Sequence, residues 1–451
     1  MSNSLGPIKY CFEGVLPSGI ATCSADGIPN VTYLSQVQLI DDTHVGLSYQ
    51  FFNKTKTNIT ENPQASLLLI DPFSGTQYRL QLRYERTETS GENFEKLKVK
   101  LDAVASMSGM SKIFKLKGVD IYLVSRWECM EENASSLSAP TTASFSELNE
   151  ITQRISQCDQ LAPLLDTALS QLEHRFGYTH SMILFMNPDG KSLYTIASHG
   201  YTQHGAGAEV RFGEGIIGTV AEQRKAVKIS NMKRENIMAD AIKQQANKIS
   251  SDYVFKQRIE LPGLKNPKSQ LAVPIEAKNS LLGVLFIESE EVASFNSDIQ
   301  ELISSIANHL GTAILLCDDE TQESSTSESS NQEIKHSPSG NPLKVRFYLA
   351  DKSIFIDNDY IIKGVAGAIL NRLLSIHLEQ GRIEFTNREL RLDPELSLPE
   401  IADNLEARLV LLQRRLEDRC HAITMVKTGR GRFRLDVNCE LDLMSVAANL
   451  P

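Results

Sequence analysis

The stretch EVRFGEGIIGTVAEQRKAVKISNM, residues 209–232, decides how the chain is divided. Gly213, Gly215 and Gly218 permit a tight turn ahead of the helix GIIGTVAEQ, where larger side chains would clash. A Gly-x-Gly-x-x-Gly string also occurs in dinucleotide sites, but there it closes the first strand of a βαβ unit. No such unit surrounds this one, so that reading fails. Downstream, LAVPIEA and LLGVLFIES read as a hairpin over Lys278-Asn279, and Ile299 to Leu316 as a closing helix. Upstream, an amphipathic helix carries apolar positions at Leu148, Ile151, Ile155, Leu161, Leu164 and Leu165, and leads into the strands SMILFMN and SLYTIASHG. Residues 145–317 are therefore expected to form an α+β module with an antiparallel sheet.

A chain of 451 residues is too long for one hydrophobic core, and this module is one part of three. Residues 319–342, DETQESSTSESSNQEIKHSPSGNP, hold a single aliphatic residue, Ile334, and cannot offset chain entropy by burial. A flexible linker is expected over 318–342. A softer break falls at Glu131 to Thr142. Ahead of it, within residues 1–130, strand-like runs such as GIATCSADGIPNVTYLSQVQLIDDTHVGLSY and TQYRLQLRYERT dominate, with helices only at Asn53 to Asn62 and Glu92 to Ser108; this part is expected to be a β-barrel. Residues 343–446 run in the order KVRFYLA, SIFIDN and YIIKG, three helices (Val365 to Glu379, Thr386 to Arg391, Leu398 to Asp418), then the strands AITMVKT and RFRLDV joined by Gly429-Arg430-Gly431. Strands, helices and a closing hairpin form the order of a winged helix.

Three resemblances attach to these parts. The glycine stretch, SQLAVPIEAKNSLLGVLFIES and FNSDIQELISSIANHLGTAI resemble a GAF domain, which implies a small-molecule ligand between the sheet and a variable loop, here Asn231 to Pro267. Tyr201, Arg211, Tyr253 and Gln270 are the candidate ligand-binding residues, each with an ordinary structural role as the alternative. The first part, through GIATCSADGIPNVTYLSQV and FFNKTKTNITENPQASLLLID, resembles the FMN-binding split barrels typified by pyridoxamine 5′-phosphate oxidase. That resemblance implies a flavin phosphate at a basic strand-to-helix turn, since backbone N–H groups and a lysine suit a dianion. Lys54, Thr55, Lys56 and Asn58 match the turn, either lysine being the phosphate contact; Gln50 and Phe51 precede it, and Asn30, Thr32 and Tyr33 line the cavity. The Arg-x-His element of true pyridoxamine phosphate oxidases is absent, because Ser125-Arg126-Trp127-Glu128 has no histidine after it. His44 by itself does not support the haem-handling subgroup.

The third part resembles the winged-helix output domain of response regulators, which implies contact with double-stranded DNA. Its long helix carries Arg408, Arg414, Arg415 and Arg419, and its wing carries Lys427, Arg430, Arg432 and Arg434. Glu400, Asp403, Glu406, Glu417 and Asp418 share that helix, so a salt-bridged protein-binding surface stands as the alternative.

The net charge of −10 excludes a chain that coats nucleic acid non-specifically. The seven cysteines form no C-x-x-C pair and no zinc-spaced cluster, and no metal site is expected. The start MSNSLGPIKYCFEG lacks the pattern of a secretory signal and no run approaches the length of a membrane span, so a cytoplasmic protein without membrane contact is expected. The combined expectation is a sensor and transcriptional regulator, homodimeric through the apolar closing helix of the middle part, in which flavin or another small molecule alters DNA binding. The competing readings are an FMN-dependent oxidoreductase with regulatory domains and a protein-binding signalling scaffold; no catalytic residue is assigned.

Overall fold

The computed structural model describes residues 4–49, 54–107, 116–131, 142–203, 205–237, 261–319, 342–357, 359–396 and 405–446. The expected linker lies almost wholly outside them, as do Gln50, Phe51 and Tyr253. Among the described residues no helix is long and apolar enough to cross a membrane.

Alternation builds the first unit. Along TQYRLQLR, Leu80 and Leu82 point inward while Arg79, Gln81 and Arg83 point outward, the period of a strand with one buried face. Its strands are β1 (Ser18–Cys23), β2 (Pro29–Leu34), β3 (Val37–Leu39), β4 (His44–Tyr49), β5 (Gln64–Ile70), β6 (Gln77–Glu88) and β7 (Gly118–Glu131). They form one sheet in the order β2-β1-β5-β6-β7-β4-β3 around a core of Ile20, Val45, Leu67, Leu80, Leu82 and Tyr122. Two helices, α1 (Lys54–Glu61) and α2 (Glu92–Met107), interrupt the strands where the sequence places them.

The second unit begins with two helices where one was expected, α3 (Phe145–Ser156) and α4 (Leu161–Phe176). The reason is local. Pro163 has no N–H for the carbonyl of Asp159, so an uninterrupted helix would lose a bond there and clash. The sheet runs β10 (Glu209–Arg211), β9 (Ser192–His199), β8 (His180–Met186), β13 (Ser280–Ser289), β12 (Ser269–Ala277) and β11 (Val227–Ile229), antiparallel throughout. Both faces are covered. Ile183, Phe185, Leu271, Val273, Leu285 and Ile287 pack in the cluster that includes the buried residues of α3, α4 and α6 (Ser297–Asp319). Met182, Leu184, Ala272, Val284 and Phe286 pack beneath α5 (Gly215–Gln223). The apolar face of α6 from which a homodimer was expected, Ile299, Ile303, Ile306, Leu310 and Ile314, is buried inside this chain.

That second face has an unforeseen contributor. Val99, Ala103 and Val104 of α2, a helix of the barrel, belong to the same buried cluster as α5 and the sheet. The two units share a core across the break expected at Glu131 to Thr142.

The third unit holds a four-stranded sheet in the order β16 (Asp359–Ile362), β15 (Ser353–Ile356), β14 (Leu343–Tyr348), β20 (Leu441–Val446), the last pair parallel. Between its strands come α7 (Gly364–Gln380), α8 (Asn387–Leu392) and α9 (Leu405–Arg419), then a small sheet ordered β17 (Glu384–Thr386), β19 (Arg432–Val437), β18 (Ile423–Gly429). Strands β17 and β20 were not read from the sequence. Thr386 caps α8 in a reciprocal capping box with Glu389, which fixes the corner between β17 and the helix.

Candidate functional site

The glycine turn forms as its composition requires. Gly213 N–H donates to the Gly218 carbonyl at 2.9 Å, and a Cβ on Gly218 would sit 2.1 Å from the Arg211 carbonyl oxygen. The barrel holds this turn from outside. Ser106 of α2 donates to the Gly213 carbonyl and accepts from Gly215 N–H at 2.8 Å, while Gln223 at the end of α5 donates to Asp102 at 2.8 Å.

On the same sheet face, where β12, β13 and β8 lie side by side, three donors converge on one carboxylate. Glu288, 4% exposed, accepts from the Tyr201 hydroxyl at 3.1 Å, from Gln270 Nε2 at 2.8 Å and from Leu264 N–H at 3.0 Å. Burial and the neighbouring Glu288 carboxylate push the Tyr201 phenol above its ordinary value. The His180 ring meets Tyr201 edge-on at 5.3 Å. Two of the four expected ligand residues, Tyr201 and Gln270, are thus brought together. Arg211 is not with them; it lies exposed on β10. Glu288 itself escaped the sequence reading, although a charged residue ending the apolar strand LLGVLFIE was its signal.

In the barrel the basic turn resolves into unlike parts. Lys54 opens α1 and is exposed, with no ion pair among the described residues. Thr55 Oγ1 accepts from Asn30 Nδ2 at 3.0 Å, and Asn58, 1% exposed, donates to Thr22 at 3.1 Å. Lys56 is held elsewhere: its Nζ lies 2.5 Å from both Asp120 and Thr87, and 5.1 and 4.8 Å from the ring centres of Tyr49 and Tyr84. A phosphate at Lys56 would have to displace Asp120. Of the two lysines the turn offers, Lys56 is engaged by a carboxylate and Lys54 is exposed. Thr32 lies half-buried on β2, beside the exposed Val31 and Tyr33. Both His44 ring nitrogens face carboxylates, Nδ1 toward Asp41 at 3.0 Å and Nε2 toward Glu85 at 3.4 Å. Among the described residues no cluster suits a metal ion.

The cations expected on DNA are divided. Arg408, 7% exposed, stacks 4.8 Å from the ring centre of Tyr194; Arg414 donates to Asp166 and to the Ile196 carbonyl; Arg415, 3% exposed, donates to the carbonyls of Tyr360 and Ile361. All three are turned inward: Arg414 and Arg415 donate to backbone carbonyls, and Arg408 lies over an aromatic ring. In the β18–β19 hairpin, Lys427 pairs with Glu406 at 2.8 Å and Arg434 with Asp436 at 2.6 Å, so two of the four cations expected on DNA are engaged by carboxylates of this chain. Arg430, Arg432 and the helix-end Arg419 are exposed.

A seven-stranded barrel joined to an α+β module with a buried polar cluster on its sheet defines a multi-domain protein. Family comparison agrees. A GAF domain model matches residues 159–315, and the model described as Pyridoxamine 5'-phosphate oxidase matches residues 12–125. The chain carries a GAF domain and, before it, a pyridoxamine 5′-phosphate oxidase-like domain. Among solved structures, the GAF domain of a phosphoenolpyruvate-protein phosphotransferase from Acinetobacter is 19% identical, covering 38% of this chain and 91% of that one at a TM-score of 0.30. An FMN-binding protein from Syntrophomonas wolfei is 18% identical, covering 30% and 86% at 0.23. The free methionine-R-sulfoxide reductase of Neisseria meningitidis, in complex with its substrate, is 16% identical, covering 41% and 99% at 0.31. No curated protein matches the chain.

Proposed function

We propose that this protein is a small-molecule sensor in which the GAF sheet around Glu288 and the barrel turn around Lys54 hold ligands, and in which the C-terminal unit is a DNA-binding winged helix that carries the output. The observation that supports the sensing role is the convergence of Tyr201, Gln270 and a backbone N–H on a carboxylate buried in the sheet face. Buried polar groups in an otherwise apolar setting are what orients a small ligand in such modules. Lys54 and the first N–H groups of α1 would hold a flavin phosphate, and a bound flavin would supply a redox-active ring. The reading of the third unit rests on element order and on the exposed Arg430 and Arg432 at the β18–β19 turn.

Mass spectrometry and absorption spectra of small molecules released by denaturing the purified protein test the sensing role. A flavin band that disappears in Lys54→Ala while Lys56→Met keeps it supports the barrel assignment; protein that stays colourless after incubation with FMN removes it. Salt-dependent DNA binding that Arg430→Ala with Arg432→Ala abolishes supports the output role.

A further inference from the structure

The helix that would enter a DNA groove is buried on both sides. Ten of the fifteen residues of α9 are buried. One side packs on α7, β16 and β18 of its own unit, and another on α4 and β9 of the GAF domain. On the GAF side Arg408 lies over the Tyr194 ring, and Arg414 donates to Asp166 at 2.6 Å and to the Ile196 carbonyl at 3.0 Å. Ala162, one turn before Asp166 on α4, lines the same seam with Leu409, Val410 and Gln413. A second tie joins Lys363, ahead of α7, to Glu209 of β10 at 2.9 Å. The two units also contribute to one cluster of buried side chains.

We propose that this dock is an autoinhibitory contact: the GAF domain covers the face of α9 that carries Arg408 and Arg414 and keeps the C-terminal unit off DNA. The inference rests on the DNA-binding reading of that unit. A major groove about 12 Å wide admits a bare helix, and a helix with a β-sheet against its outer face does not enter it. The same guanidinium groups cannot serve Tyr194, Asp166 and a phosphate together. The polar part of the latch is weak, since the Asp166 side chain is 64% exposed and a solvent-screened pair contributes little. That suits a switch, because a ligand can shift such an equilibrium only by its differential affinity for the two states. Strand β9 supplies Tyr194 and Ile196 to the dock and pairs with β8, whose His180 adjoins Tyr201 and so the Glu288 cluster.

The test uses the full chain and a labelled mixed-sequence DNA duplex at low ionic strength. Ala162→Trp with Asp166→Asn wedges the seam and removes the Arg414 partner while changing net charge by one; Glu301→Gln, an exposed change on α6, is the charge-matched control. Amide exchange over 405–416 reports release of α9. The expected result is faster exchange, roughly tenfold tighter DNA binding, no gain in the control, and loss of the gain when Arg430→Ala and Arg432→Ala are added. Unchanged exchange in the wedge variant overturns the assignment of this seam as the latch. Faster exchange with unchanged affinity, in a protein whose DNA binding still needs Arg430 and Arg432, overturns autoinhibition and leaves DNA binding standing. No DNA binding by any variant removes the DNA reading and the inference with it.

Discussion

At the scale of single side chains, the two lysines of the barrel turn differ in their partners. Lys56 and Asp120 form a largely buried pair, with side-chain exposures of 19% and 9%. Removing one partner leaves the other charge uncompensated in a low-dielectric setting, so Asp120→Ala should cost roughly 3 kcal/mol by urea denaturation. Lys54→Ala, at an exposed position, should change stability by no more than about 0.5 kcal/mol. A reversed order would exchange the roles of the two lysines. Lys100 of α2 offers a pH test. Burial lowers its amine to about 8, with Glu235 acting to raise it and Arg234 and Lys228 adding to the depression. The unfolded chain therefore binds the extra proton between pH 8 and the ordinary lysine value, and stability rises with pH across that window. Below pH 8 the buried charge carries its full penalty. Lys100→Met should accordingly melt above the parent at pH 7, with the gap closing toward pH 10; a gap independent of pH would place the destabilisation elsewhere.

At the scale of elements, the Gly213–Gly218 turn shows what sequence can and cannot disclose. The need for glycine was legible because a Cβ on Gly218 meets a backbone oxygen, which cannot move aside as a flexible side chain would. Gly218→Ala should lower stability by about 3 kcal/mol, measured by thermal or urea unfolding, with loss of α5 protection in amide exchange. An unaffected variant would mean that the turn relaxes freely. Strand and helix positions were legible for the same reason, since periods of 2 and 3.6 are properties of the local chain. The break before Pro163 was overlooked although its signal was present. What was not legible is which element a face meets. The apolar side of α2 reads like that of any barrel helix, yet Val99, Ala103 and Val104 pack under the GAF sheet. Arg408 and Arg414 read as cations for an anionic partner, yet an aromatic ring, a carbonyl and Asp166 receive them. Glu288 became visible only when β12 and the loops that carry Tyr201 and Leu264 brought its donors together.

At the scale of the molecule, the barrel and the GAF domain are interlocked on two fronts. Along α2, apolar residues and Ser106 hold the underside of the glycine turn. Near the start of the described chain, Glu13 pairs with Lys228 and accepts from Ser297 N–H at the head of α6 at 3.0 Å. Beside it Arg234 donates to the carbonyls of Gly14 and Ser35, and Gln36 donates to Glu235 at 3.0 Å. Under the proposed function, a ligand that shifts either domain would act on a shared core, and any coupling between two sites would be reciprocal. The interlock also fixes how the protein unfolds. If the two domains were independent, calorimetry of the intact chain would show separate transitions, and residues 142–317 prepared alone would melt where the GAF domain melts in the full chain. With a shared core, the excised piece loses Val99, Ala103 and Val104 from a cluster containing Met182, Val220 and Ile229, and exposes that apolar surface. The expected outcome is one cooperative transition for barrel and GAF together in the intact chain, and a fragment that melts lower and binds a hydrophobic dye. A fragment that matches the intact chain in both measurements would show that the contact is a docking surface which contributes little to stability.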